Sequence, residues 1–346
     1  MAASAQKQTV RDNTLERYRR AISRLKLIST VSLIISIVAI LFSLAIVIYH
    51  LGGSNVVSYV NVTQNSTGTS SNSFGSRLTN IDEPLNATEL SVINNAPESY
   101  FELAGQKLLN GTLADPIIPQ VPNSSDTFNA IVVNGKPTVI YIGAISCVYC
   151  GENRWAMALA LSRFGNFSEL YKGYSSFGDH DLPTLYWMAD NYTTQAGVGY
   201  GNYYSSNYLN FVSADYESQI VQGFQVQPLS YFVQNAPNET YKKAMSFMNK
   251  TGLFQGTPFT FWGKYAIDGA DGIVFGNSTP TSQNLPLTDM THAQVLQQLS
   301  SFNDQFAWGE YAAADVYIAY TCASINNTAS VCSLPAITGI EARMKI

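Results

Sequence analysis

The sequence predicts an α/β domain carried outside a membrane by one N-terminal helix, and three observations predict it. A basic head is followed by 25 residues without Asp, Glu, Lys or Arg, Leu27–Leu51. A Cys-x-x-Cys pair, Cys147 and Cys150, lies between a β-branched run and a long helix-forming run. Far downstream a Thr-Pro pair, Thr257-Pro258, opens a second strand and a hairpin.

The head comes first. Residues 1–26 hold seven basic side chains, Lys7, Arg11, Arg17, Arg19, Arg20, Arg24 and Lys26, against Asp12 and Glu16. The remainder carries 12 basic and 22 acidic residues. Only 12% of the chain is charged, about half the usual share, while Tyr, with 21 copies, is abundant. An acidic body without a basic patch argues against nucleic acid as a partner.

Leu27–Leu51 is long enough to cross roughly 30 Å of hydrocarbon as a helix. A buried soluble helix would rarely stay uncharged over this length. A cleaved signal peptide would have a shorter apolar region and a small-x-small site close behind it. The segment therefore reads as a retained anchor in contact with membrane lipid. With the positive charges on its N-terminal flank, residues 1–26 face the cytoplasm and everything after His50 lies outside. All eleven Asn-x-Ser/Thr sequons fall beyond the anchor, at Asn61, Asn65, Asn86, Asn110, Asn123, Asn166, Asn191, Asn238, Asn249, Asn277 and Asn326. An externally glycosylated chain requires that distribution, although several sequons would arise by chance in a chain so rich in Asn, Ser and Thr. Residues 52–82 are Ser/Thr/Asn/Gly-rich, bury little, and read as a flexible stalk. Residues 83–346 form the domain proper.

Within that domain the first element is "ESYFELAGQKLLNG", whose Tyr100, Phe101, Leu103, Leu108 and Leu109 give a helix an apolar face and whose Gly111 stops it. Asn134-Gly135 is a turn, and Thr138–Ile142 is a buried strand. After the cysteines, "ENRWAMALALSRF" is a helix closing on Gly165-Asn166. Pro183–Ala189 reads as a strand, and "GVGYGNYYSSNYLNFVSADYESQ" as loop with short strands. Ala236–Gly252 has a helical pattern with a Gly stop. Pro258 opens a strand, Asp268–Gly272 reads as a turn, and Ile273–Phe275 as the return strand. "THAQVLQQLSSFNDQFA" and "GEYAAADVYIAYTCASI" are helical.

The dithiol therefore sits at a strand-to-helix junction. There the first cysteine meets the unpaired N–H groups and the positive end of the helix dipole, which stabilise a thiolate. A second cysteine one turn on can resolve a mixed disulfide. A proline with a cis bond at the start of a facing strand would expose the backbone of the residue before it to a bound peptide; Thr257-Pro258 is the candidate, with an ordinary trans proline on an edge strand as the alternative. A four-cysteine zinc site is disfavoured, since 171 residues separate Cys150 from Cys322 and nine separate Cys322 from Cys332. Cys322 and Cys332 read instead as a structural bridge worth about 2–3 kcal/mol, with electron relay to the first pair as the alternative. Asp179, His180 and Asp181 read as a solvated loop before they read as ligands or a proton relay. "GVGYG" lacks the flanking strand and helix of a nucleotide loop, so no cofactor and no metal is called for. Glu152 and Arg154 either tune the dithiol or lie on the helix surface.

The string "NGKPTVIYIGAISCVYCGENRWAMALALSRFG" resembles an archaeal membrane-anchored family, domain of unknown function 929, with a thioredoxin-like fold. The resemblance extends through "GYSSFGDHDLPTLYW" and "YGNYYSSNYLNF" to the cysteines near the C-terminus. It implies a thioredoxin-like domain with a long insertion, about 166–255, between the dithiol helix and the Thr-Pro strand, and Cys147/Cys150 as its site. Family members often carry Pro after the first cysteine, where this chain has Val148. The chain is more distantly similar to DsbA-type oxidoreductases, whose strong oxidants often carry His where this chain has Tyr149. Tyr149 brings no positive charge, which predicts a less oxidising pair. The expected function is a membrane-anchored thiol–disulfide oxidoreductase acting on disulfides of secreted or surface proteins, or exchanging electrons with a membrane redox partner. The alternative is a surface glycoprotein or binding module whose Cys147–Cys150 bridge is inert.

Overall fold

Alternation along three strands decides the architecture. Val139 and Tyr141 join one apolar cluster while Ile140 and Ile142 join another; Phe211 divides in the same way from Val212 and Ala214, and Trp262 from Phe259 and Phe261. Successive side chains of a strand point to opposite faces, so these strands form one sheet buried on both sides.

The computed structural model describes residues 83–113, 131–145, 147–175, 181–188, 199–220, 223–254, 256–263, 265–268, 287 and 289–346. The expected head, anchor and stalk (1–26, 27–51 and 52–82) lie outside the described residues. Among the described residues no helix is long and apolar enough to cross a membrane.

In chain order the elements are α1 (Ala87–Asn94), α2 (Glu98–Leu109), β1 (Val132–Val133), β2 (Lys136–Ala144), α3 (Val148–Leu161), β3 (Gly165–Glu169), β4 (Tyr171–Tyr174), β5 (Pro183–Tyr186), β6 (Gly199–Tyr200), β7 (Tyr203–Ser206), β8 (Asn210–Ile220) and β9 (Gly223–Val226). There follow α4 (Leu229–Gln234), α5 (Glu239–Thr251), β10 (Phe259–Trp262), β11 (Tyr265–Asp268), α6 (His292–Ser301), α7 (Gln305–Ser324), a 3-10 turn (Ser330–Ser333) and α8 (Pro335–Met344).

The main sheet runs β11-β10-β2-β8-β6, with β1 added to β2 and β9 to β8. β2 and β8 are parallel, with Ile140 opposite Val212; β10 is antiparallel to β2, with Phe261 opposite Ile140. One face is covered by α4 and α5, which supply Phe232, Tyr241, Ala244, Met245 and Met248. The other is covered by α3 and α7, backed by α2 and α8.

Local chemistry explains most boundaries. Asn86 caps α1 in a capping box with Glu89, Asn238 caps α5, and Thr291 caps α6 in a box with Gln294. Gly252, at φ +63°, ends α5 in the left-handed conformation. The expected run from Thr291 breaks at Phe302, also left-handed, and Asp304 caps a fresh helix, α7.

Two expectations change. The Tyr/Asn-rich stretch expected as loop with short strands holds nearly all of β8, an 11-residue strand beside β2. The interval expected as one insertion, 166–255, is built into the domain: β8 belongs to the main sheet and α4 and α5 cover it, while β3 with β7 and β4 with β5 form two separate two-stranded sheets. The hairpin after Pro258 is also tighter than expected. Gly263, at φ +68°, turns the chain and Tyr265–Asp268 returns, whereas Ile273–Phe275 lies outside the described residues.

Candidate active site

The strand-to-helix junction forms because β2 ends at Ala144 and Cys147 serves as the N-cap of α3, with φ −73° and ψ 125°. Its sulfur accepts from the Cys150 N–H at 3.3 Å. Cys147 is partly exposed and Cys150 is buried, and both are free thiols. The Cys150 sulfur accepts from the Ala144 N–H at 3.4 Å. Across the junction the Thr257-Pro258 bond is cis, and the Cys147 thiol faces the Thr257 carbonyl oxygen at 3.8 Å. The structure thus brings together all four residues that the sequence singled out for redox chemistry.

The two thiols differ sharply. The Cys147 thiol is lowered to about 7, chiefly because the Cys150 thiol donates to its sulfur. Burial opposes this, and the Cys150 N–H, the Thr257 side chain and the Arg154 charge add to the lowering. Burial pushes the Cys150 thiol well up, and the neighbouring Cys147 sulfur pushes the same way. One thiol ionises readily and the other is held protonated.

Glu152 and Arg154 do not lie on a helix surface. Of the fourteen residues of α3, only Tyr149 escapes full burial, because the sheet, α7 and β5 enclose the helix. Arg154 is 0% exposed; its Nη2 donates to Asp215 Oδ1 at 2.9 Å and to the Ala144 carbonyl at 3.2 Å. Glu152 is equally buried, and burial raises its carboxyl to about 8. The two-stranded β4-β5 sheet braces this helix. Thr184 Oγ1 donates to the Gly151 carbonyl at 2.9 Å, and Trp155 Nε1 to the Pro183 carbonyl at 3.0 Å.

Cys322 and Cys332 are disulfide-bonded, 10 residues apart. Zinc would need their thiolates, so the bond removes those ligands. The bridge is also 0% and 2% exposed at its two residues, which keeps it from the exchange that an electron relay demands. Among the sequons, Asn86, Asn110, Asn166, Asn238, Asn249 and Asn326 are all exposed; Asn61, Asn65, Asn123, Asn191 and Asn277 lie outside the described residues, as do Asp179 and His180.

Residues 129–323 match the family model described as Domain of unknown function (DUF929). The chain belongs to this family. No curated protein and no solved structure matches it. The DUF929 region holds the dithiol, Arg154, Asp215 and Thr257-Pro258, and it ends one residue past Cys322, with Cys332 outside. Sequence reasoning missed Asp215 in this DUF929 site because the stretch around it read as loop with short strands, with no long strand to bring the acid beside the dithiol. The usable signal was an acid among Phe211, Val212 and Ala214, in a strand whose parallel partner leads into the dithiol.

Proposed function

We propose that this DUF929 protein is a membrane-anchored, externally facing thiol–disulfide oxidoreductase with a thioredoxin-like domain. One observation carries the reading: a partly exposed, readily ionised Cys147 sits at a helix start, opposite the carbonyl of a residue that precedes a cis-proline. The strand order β8-β2-β10-β11, with the first pair parallel and the other two antiparallel, supports the thioredoxin-like assignment. The apolar run 27–51 and the exposed sequons support an anchored, outward-facing, glycosylated chain. Its substrates are disulfides of secreted or surface proteins, and electrons are exchanged with such proteins or with a membrane redox partner.

The Cys147 thiolate attacks one sulfur of a substrate disulfide. That S–S bond breaks, and the other substrate sulfur leaves as a thiolate that takes a proton from water. Cys150 gives up its proton to water and attacks the Cys147 sulfur, breaking the mixed disulfide and releasing the second substrate thiolate, which is protonated in turn. Two electrons have passed from the dithiol to the substrate, leaving a Cys147–Cys150 disulfide. The reverse sequence oxidises a substrate dithiol. The Thr257 carbonyl accepts a backbone N–H of the bound peptide and holds its disulfide against Cys147.

Full-length protein is expected to reduce insulin disulfides in the presence of a thiol reductant. Cys147→Ser abolishes this, and Cys150→Ser accumulates a covalent adduct with substrate that reductant releases. If native Cys147 resists alkylation and Cys147→Ser leaves insulin reduction unchanged, the Cys147–Cys150 pair is inert. The surface-glycoprotein reading then stands instead.

A further inference from the structure

We propose that Arg154, with Asp215 as its counter-charge, is a positioning residue that sets the redox poise of the Cys147/Cys150 pair. The inference rests on the oxidoreductase reading and deepens it.

The geometry converges on Ala144. Its N–H donates to the Cys150 sulfur at 3.4 Å, and its carbonyl accepts from the Cys147 N–H at 3.2 Å and from Arg154 Nη2 at 3.2 Å. The same nitrogen reaches Asp215 at 2.9 Å. One buried guanidinium therefore holds the residue from which both cysteines are positioned. Its Nε and Nη1 meet no acceptor among the described residues, so its charge is compensated by a single carboxylate. An arginine stays protonated in such a place, and charges act over longer distances in an interior of low dielectric. The Cys147 and Cys150 sulfurs are both stabilised as thiolates by it.

The surroundings are built for that cation. The Tyr141 ring lies 5.3 Å and the Tyr186 ring 5.5 Å from its Cζ, within cation–π range. Glycines give both rings room: a Cβ on Gly143 would overlap the Tyr141 hydroxyl, and one on Gly173 would overlap the Tyr186 ring. The groups facing Arg154 are thus Tyr141 from β2, Tyr186 from β5, Asp215 from β8, and the two cysteines of its own helix. Burial keeps the Tyr141 phenol neutral. A buried ion pair is costly to desolvate and is poor evidence for stability alone. Placement behind the dithiol gives this one a task.

The task has a signature that packing lacks. Removing the cation disfavours the thiolate, and removing its carboxylate partner favours it. In full-length protein, R154M is expected to raise the pH midpoint of Cys147 alkylation and D215N to lower it. In equilibrium with glutathione, where the dithiol and glutathione disulfide give the protein disulfide and two glutathione thiols, R154M shifts the constant about tenfold toward the protein disulfide and D215N shifts it the other way, one tenfold step corresponding to a one-unit midpoint change. R154K, which keeps the charge, lies closer to wild type than R154M. If R154M fails to fold, D215N and R154K carry the test. Midpoints that move in the same direction in R154M and D215N, or in neither, overturn the proposal. Wild-type protein that does not exchange with glutathione at all sinks the oxidoreductase reading itself, so the two failures are distinct.

Discussion

At the scale of residues, the reactivity of the dithiol depends on contacts supplied by Cys150 more than on the residues between the cysteines. The Cys150 thiol and N–H both stabilise the Cys147 sulfur, whereas Val148 is buried and Tyr149 packs against the main core. A thiol lowered to about 7 is mostly thiolate at pH 8 and about one-tenth thiolate at pH 6. The iodoacetamide rate at Cys147 should therefore rise about tenfold per pH unit below 7 and level off above it. Cys150→Ala, by removing the thiol that donates to Cys147, moves that midpoint upward. A wild-type profile with its midpoint near 8.5, the value of a free cysteine, would contradict the geometry. The sequence suggested a site without positive charge because Tyr149 replaces a frequent His. The charge comes instead from Arg154, four residues beyond Cys150, where helical periodicity returns a side chain to the same face. Its burial, not its spacing, was illegible, because a lone Arg in a helical run reads as surface.

At the scale of elements, the helical layer behind α3 tolerates little change. α2 crosses α7 and α8 at Gly105, where a Cβ would lie 2.6 Å from Ala336 Cβ, 3.0 Å from Asp315 Oδ2 and 3.5 Å from Ile340 Cδ1. Alanine would gain about 0.5–1 kcal/mol of helix propensity but would force α8 outward at about 1–3 kcal/mol. Gly105→Ala should therefore lower the urea midpoint with little change in slope, and a variant as stable as wild type would show that the helices can part freely. The Cys322–Cys332 bond fastens the end of α7 to the turn before α8, close to where that strain would fall. Elements with strong local chemistry were legible: α5 with its Gly252 stop, α6 after Thr291, and the strand leading to the dithiol. β8 was not. Its Ser213, Asp215 and flanking polar residues break the apolar pattern, and it becomes a strand through parallel pairing with β2, a long-range effect that no local window contains. The hairpin turn was misplaced because it falls at Gly263, which carries a positive φ, while the Asp/Gly-rich 268–272 gave the louder signal.

At the scale of the whole molecule, the low charge content conceals an interior loaded with carboxyls. Burial raises Glu152 to about 8 and holds Glu310 and Asp315 well above the usual carboxylate range, the last two with further pushes from Glu152 and Glu102 respectively. None of the three was singled out as buried in the sequence, because an acid within an α-helical run is ordinarily a solvated one. The sign of their effect follows from linkage. A carboxyl whose folded value is raised makes the folded state the stronger proton binder, so its contribution is fully present below the unfolded value, near 4.5 for Glu, and is lost as pH rises through the folded value. For Glu152 that window runs from about 4.5 to about 8. His292 opposes it: burial lowers its imidazole to about 4, so that residue destabilises the fold as pH falls from about 6.5 toward 4. Asp215 and Glu341 are also raised, so the carboxyls outnumber the two groups that oppose them, the His292 imidazole and the lowered Cys147 thiol, and leave a net gain toward acid. Thermal midpoints of the full-length protein should rise from pH 8 to pH 5, and Glu152→Gln should flatten the slope across that interval. A midpoint that stays level or falls on acidification would show that these carboxyls are ionised and paired in the fold. The dithiol runs the other way, since acid protonates Cys147. Insulin reduction should therefore increase from pH 5 to pH 8 while the thermal midpoint declines, and this divergence separates ionisation at the site from any general loss of structure.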